Sequence, residues 1–149
     1  MSLPPPESPA VPPLIARLVS HHGARWVGAD GVDEFASEPG DHVLFLGGDP
    51  VRFPECLDVA VIVPELQGAF PGRFTVGVVP REQEAVVARR FGVNRWPALV
   101  FLRGGRYVTA LTGMHDWTDF LSSVEAALTA PATRAPGVGI PVVPGAGGT

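Results

Sequence analysis

A single thiol, Cys56, stands in the run Pro-Glu-Cys-Leu-Asp, with Glu55 directly before it and Asp58 two residues after. One cysteine in a chain of 149 residues excludes an internal disulfide. Two roles stay open for it: a monothiol redox site near a helix start, where a thiolate is favoured, or a small apolar side chain packed like any other. The flanking carboxylates oppose thiolate formation. The four histidines offer no metal set. His21 and His22 are neighbours on a helix and face different ways, and no Cys or His pair has the spacing of a zinc site. Gly47-Gly48 lacks the lysine-containing continuation of a phosphate loop. Neither a metal nor an organic cofactor is expected.

Charge is more informative than the thiol. All 11 basic residues are arginine. Between Asp30 and Glu65 the acids Asp30, Asp33, Glu34, Glu38, Asp41, Asp49, Glu55, Asp58 and Glu65 face only Arg52. Between Arg73 and Arg106 seven arginines face Glu82 and Glu84. Such charges are ordinarily solvated surface, yet an acidic half of a small domain also attracts a basic partner. The formal net charge of −4 argues against nucleic acid as that partner.

The elements that must position these residues follow from periodicity. Prolines and glycines crowd both ends, so residues 1–12 and 130–149 are expected as flexible tails around a domain spanning 13–129. With no apolar run of 18 residues and no basic-then-apolar leader, a cytoplasmic protein is expected. LIARLVSHHG reads as a short amphipathic helix stopped by Gly23, and ARWVGAD as a strand. A short helix follows, with Asp30 as its expected cap. HVLFLGG is a continuous apolar run bounded by glycines, the signature of a central buried strand. CLDVAVIVPELQGAF is long enough for a helix that Pro64 should kink. RFTVGVVP is a third strand, and REQEAVVARRFG a helix ended by Gly92. Two apolar runs around Arg-Gly-Gly-Arg form a hairpin. A closing helix begins at Asp116, its expected cap. The order β-α-β-α-β-α-β-β-α predicts an α/β domain, a mixed sheet with helices on both faces. Trp26 and Trp117 are expected in the core.

Pro97, at the mouth of the first hairpin strand, gives this order a narrower meaning. Phe91-Gly92-Val93, Pro97, the apolar strand Ala98 to Leu102, Gly104-Gly105 and Gly113 occur in the order seen in thioredoxin, which the domain resembles. The resemblance implies a three-layer α/β/α fold with a C-terminal β-hairpin plus helix, and a cis Trp96–Pro97 bond. Counting back from Pro64, it puts the dithiol window at Cys56-Leu57-Asp58-Val59. Valine cannot resolve a mixed disulfide, so the dithiol cycle is unavailable. HVLFLGG also lacks the carboxylate that thioredoxins carry in that strand.

DPVRFPECLDVAVIVPEL, RFGVNRWPALVFLRGG and GMHDW together resemble the thioredoxin-like hydrogenase expression/formation proteins of the HyaE/HupG type, over about Leu14 to Leu128. Cys56 departs from that family's pattern. The resemblance implies a non-catalytic cytoplasmic chaperone in the maturation of uptake nickel–iron hydrogenase. Its partners would be the small-subunit precursor and its twin-arginine signal peptide, bound before export. In thioredoxin-like proteins the residue before the cis proline can pair its backbone with an extended peptide. The candidate peptide-binding residues are therefore Trp96 and Pro97 with the acids Asp49, Glu55, Asp58 and Glu65. Trp96 either packs on the helix around 55–69 or stands at the rim of the groove. The competing functions are a monothiol enzyme using Cys56 and a structural adaptor within the hydrogenase assembly complex.

Overall fold

The run His42-Val43-Leu44-Phe45-Leu46 occupies the middle of a five-stranded sheet and is buried on both faces. A computed structural model describes residues 11–133. The chain order is α1 (Pro13–Ser20), β1 (Arg25–Trp26), α2 (Val32–Ser37), β2 (Asp41–Leu46), α3 (Glu55–Ala69), β3 (Phe74–Val78), α4 (Glu84–Arg90), β4 (Ala98–Arg103), β5 (Arg106–Thr112) and α5 (Trp117–Thr129). The strands lie in the order β1-β3-β2-β4-β5. β1 and β2 run parallel to β3, whereas β4 is antiparallel to both β2 and β5. This is the mixed sheet expected from early crossovers and a late hairpin.

Two cores flank the sheet. Alternate residues of β2 feed them, with Val43 and Phe45 facing one side and Leu44 and Leu46 the other. On the first side lie Leu18 of α1, Val59, Ala60, Val63 and Leu66 of α3, and Phe120 and Val124 of α5. On the second lie Val32 and Phe35 of α2 and Val87 and Ala88 of α4. α3 carries Pro64 within its length, which removes the amide that would bond the Ala60 carbonyl.

Gly77 in β3 shows why one strand residue has no side chain. A Cβ there would lie 2.6 Å from Cγ2 of Val27 and 3.1 Å from the Phe35 ring. The β4–β5 turn puts Gly104 and Gly105 at φ of 62° and 78°, the two left-handed positions a tight hairpin needs.

Arg103 joins three elements. Its Nε and one Nη donate to the Asp41 carboxylate at 2.9 and 2.8 Å. Its Nη groups also donate to the carbonyls of Ala127, Leu128 and Ala130, so one guanidinium closes the carboxyl end of α5. His42 is buried among apolar groups with both ring nitrogens used, by Thr75 Oγ1 at 2.6 Å and the Glu38 carbonyl at 2.8 Å.

Several expectations are corrected. β1 has two residues rather than seven, and as an edge strand it leaves Trp26 42% exposed. Trp117 is the first residue of α5 and is 37% exposed. Neither tryptophan is core. Gly31, not Asp30, is the N-cap of α2, because the 3₁₀ turn Ala29–Gly31 places Asp30 one residue too early. Asp116 does occupy the N-cap position of α5, but its side chain makes no capping hydrogen bond. Among the described residues after Thr129, the Thr133 amide donates to the Tyr107 carbonyl at 2.6 Å. Residues 1–10 and 134–149 of the expected tails lie outside the described residues.

Candidate functional site

Three connections meet at one end of the sheet. β2 ends at Leu46, which pairs with Ala98 at the start of β4, and Ala98 in turn pairs with Thr112 at the end of β5. The loop following β2, the Trp96–Pro97 segment and the turn following β5 are thereby brought together beyond the carboxyl end of the central strand, where open α/β sheets bind ligands.

The Trp96–Pro97 bond is cis, Pro97 is buried, and its carbonyl accepts the Gly113 amide at 2.7 Å. Trp96 is half-buried and meets Phe53 with ring centroids 6.5 Å apart. The aromatic pair sits on Gly48, where an added Cβ would approach the Trp96 Cβ to 3.0 Å and Phe53 Cδ2 to 3.1 Å. Trp96 therefore packs on the loop leading into α3, and part of it stays open to solvent. Beyond this shelf Val51 projects at 87% exposure, and the Arg52 guanidinium lies over the Phe53 ring.

The acids divide into three situations. Asp49 shapes the loop: its Oδ1 accepts the Val51 amide at 2.9 Å, its carbonyl accepts the Phe53 amide at 2.7 Å, and Oδ2 lies 3.4 Å from Arg81. Glu55 and Asp58 are exposed on the first turn of α3, three residues apart and so on one face. Glu65 is not with them. Ten residues beyond Glu55, or about 15 Å along the helix axis, it lines a groove between α1 and α3 with Leu14, Arg17, His22 and Val61. The structure thus brings Asp49, Glu55, Asp58, Trp96 and Pro97 to one end and places Glu65 elsewhere.

Cys56 follows Glu55 but points inward and is fully buried. Its amide bonds the Phe53 carbonyl at 3.0 Å. Burial, then the charges of Glu84 and Asp49, push the thiol up to about 11, with Arg81 opposing. The helix start that would favour a thiolate is outweighed by desolvation and neighbouring acids.

Glu84 is the residue that sequence reasoning missed. It is 7% exposed at the start of α4, where burial raises its pKa against the lowering effect of its hydrogen bonds. One carboxylate oxygen accepts the Gly47 amide at 2.8 Å and the other the Gly48 amide at 3.1 Å. The signal was helical spacing. Glu84, Val87, Ala88 and Phe91 fall on one face, and the other three are core. A buried carboxylate therefore does lie behind Cys56, delivered by α4 rather than by β2.

Comparison with known proteins agrees with this architecture. The pattern of the family described as "Hydrogenase-1 expression protein HyaE" matches residues 14–120. A hydrogenase expression/formation protein HoxO from Cupriavidus necator is 52% identical over 145 residues, covering 96% of this chain and 90% of its own length. A crystal structure of a hydrogenase expression/formation protein HupG from Rhodopseudomonas palustris superposes with a TM-score of 0.51 at 38% identity, over 70% of this chain and 94% of that one. A mutant thioredoxin from Halobacterium salinarum superposes with a TM-score of 0.58 at 18% identity, over 72% of this chain and 92% of that one, which speaks for the fold alone. The match over most of the domain and the identity to a full-length relative settle the grouping: the chain belongs to the HyaE family of hydrogenase expression/formation proteins.

Proposed function

We propose that this protein is a non-catalytic chaperone of uptake nickel–iron hydrogenase maturation that holds the small-subunit precursor by its twin-arginine signal peptide. It would act in the cytoplasm, before export. The observation that carries this reading is the pairing of an exposed acidic turn, Glu55 and Asp58, with the half-open Trp96–Phe53 shelf. Guanidinium groups bind carboxylates in bidentate fashion, and an aromatic shelf suits the apolar segment that follows such arginines. The backbone of Trp96, the residue before the cis proline, is the part that would pair with a peptide strand. Asp49 supports the loop rather than offering a free carboxylate, since its two carboxylate oxygens are already engaged by the Val51 amide and Arg81.

The non-catalytic part of the proposal is supported by Cys56. A buried thiol raised to about 11 supplies almost no thiolate at neutral pH. The test is co-purification of the full chain with the small-subunit precursor, with and without its signal segment. Loss of capture when the segment is removed is the expected result. Capture that ignores the segment would favour an adaptor that binds another part of the assembly.

A further inference from the structure

The Gly47-Gly48 turn points two amides into the protein rather than toward solvent, and both residues are buried. A buried amide without a partner is costly, and here the partner of each is the same carboxylate, on a different element. Gly48 is at the same time the floor under Trp96 and Phe53, where an added methyl group would lie 3.0–3.1 Å from both side chains and press them outward. Gly48 is therefore in contact with both Glu84 of α4 and the half-buried Trp96.

We propose that Glu84 is the positioning residue of this site: its carboxylate fixes the height of the Gly47-Gly48 turn, and through Gly48 the placement of the Trp96–Phe53 shelf that receives the peptide. The inference rests on the peptide-binding function proposed above for the consequence, but not for the positioning itself. An ionised carboxylate accepts from both amides through two free oxygens, whereas a protonated one turns an oxygen into a donor and loses part of that grip. The groups around it are Arg81 and Glu82 on the preceding turn, Asp49 on the loop and Cys56 on α3. Burial is the largest influence on Glu84 and raises its pKa, so the grip should loosen at a pH above the ordinary carboxylate range.

The experiment has two arms. In the free protein, amide signals of Gly47 and Gly48 are followed by NMR against pH in the wild type, Glu84→Gln and Glu84→Ala. Both amides should titrate together, with a midpoint above that of the exposed carboxylates, and the Gln variant should abolish this step. The Ala variant should displace the Trp96 indole and Phe53 ring signals while Phe120 and Val124 stay in place. The Gln variant keeps one carbonyl acceptor, so it decides the matter if the Ala variant fails to fold. The second arm titrates a synthetic peptide carrying an Arg-Arg pair and an apolar segment. The Ala variant should bind about tenfold more weakly, the size expected when a hydrogen-bonded ionised group is lost. The wild-type affinity should fall across the same pH step, and the Gln variant should lack that step. Amides that do not titrate, or an unmoved Trp96 in the Ala variant, would overturn the proposal. Titrating amides in a wild type that does not bind the peptide would uphold the positioning role and overturn the function assigned to the site.

Discussion

Trp96 rests on Gly48, whose φ of +80° and missing side chain let the chain pass directly beneath the indole. Two constraints coincide there, a left-handed backbone that favours glycine and a tight contact of 3.0 Å that would make Trp96 give way to a side chain. Gly48→Ala should therefore cost at least about 1–2 kcal/mol from the backbone conformation, and should push Trp96 outward. Urea unfolding and the Trp96 indole NMR signal measure the two effects separately. A variant of unchanged stability with an unmoved indole would refute the contact.

Cys56 should behave as a core atom. Its thiol is raised from 9.0 to about 11, which corresponds to about a hundredfold less thiolate at neutral pH. Alkylation by iodoacetamide in the native protein should be slower than in the denatured chain by about that factor or more, as read by mass spectrometry. Cys56→Ala should leave peptide binding unchanged. Rapid native alkylation, or disulfide reductase turnover that disappears in the Ala variant, would support the monothiol enzyme instead.

Glu84 predicts a pH dependence with a definite sign. Its folded pKa is raised, so the folded state binds the proton more tightly than the unfolded chain does. The stability linked to this group is fully present below the ordinary carboxylate range and is lost as pH rises through the raised folded value. Subtracting the Glu84→Gln stability profile from that of the wild type isolates this contribution from other carboxylates. The difference should decline with rising pH in that window. A difference that is flat, or that increases, would contradict the burial of the charge.

Arg103 tests the frame that carries the site. Its guanidinium is shared by Asp41 and the carbonyls at the end of α5. Arg103→Met keeps the aliphatic stem but leaves the partly buried Asp41 carboxylate and the helix end without donors. The cost should be about 1.5–3 kcal/mol, as for hydrogen bonds to charged groups. Thermal and urea denaturation measure it, and a loss well under this range would mean that solvent replaces the guanidinium.

The frame was largely legible because its signals are local. HVLFLGG could only be a central strand, Arg-Gly-Gly-Arg could only be a turn, and the spacing of Phe120, Val124 and Leu128 put α5 on the core. Legibility failed where tertiary position decided the outcome. Trp26 was expected inside because it is large and apolar, but β1 is a two-residue edge strand and exposes it. Glu84 counts as surface charge by composition, which treats carboxylates as polar, although its helical phase matches Val87 and Phe91. Glu65 was grouped with Glu55 and Asp58 because they share a segment, and the length of α3 carries it away. A helix converts nearness in sequence into distance along an axis, and charge counts along the chain do not register that.

Under the proposed function, an acidic turn and an aromatic shelf together recognise a basic, then apolar, peptide. Charge attraction and apolar burial respond differently to salt, since exposed charges are screened over about 8 Å at physiological ionic strength. The decisive measurement is calorimetric titration of the small-subunit signal peptide at low and high salt, with the wild type and with Glu55→Arg/Asp58→Arg. The wild type should bind more weakly at high salt but retain affinity through the shelf, and a peptide with both arginines replaced by lysine should bind less well. The double reversal should bind more weakly at low salt, with a flattened salt dependence. If it binds as the wild type does at both salts, Glu55 and Asp58 are solvated surface and the site is not where this account puts it.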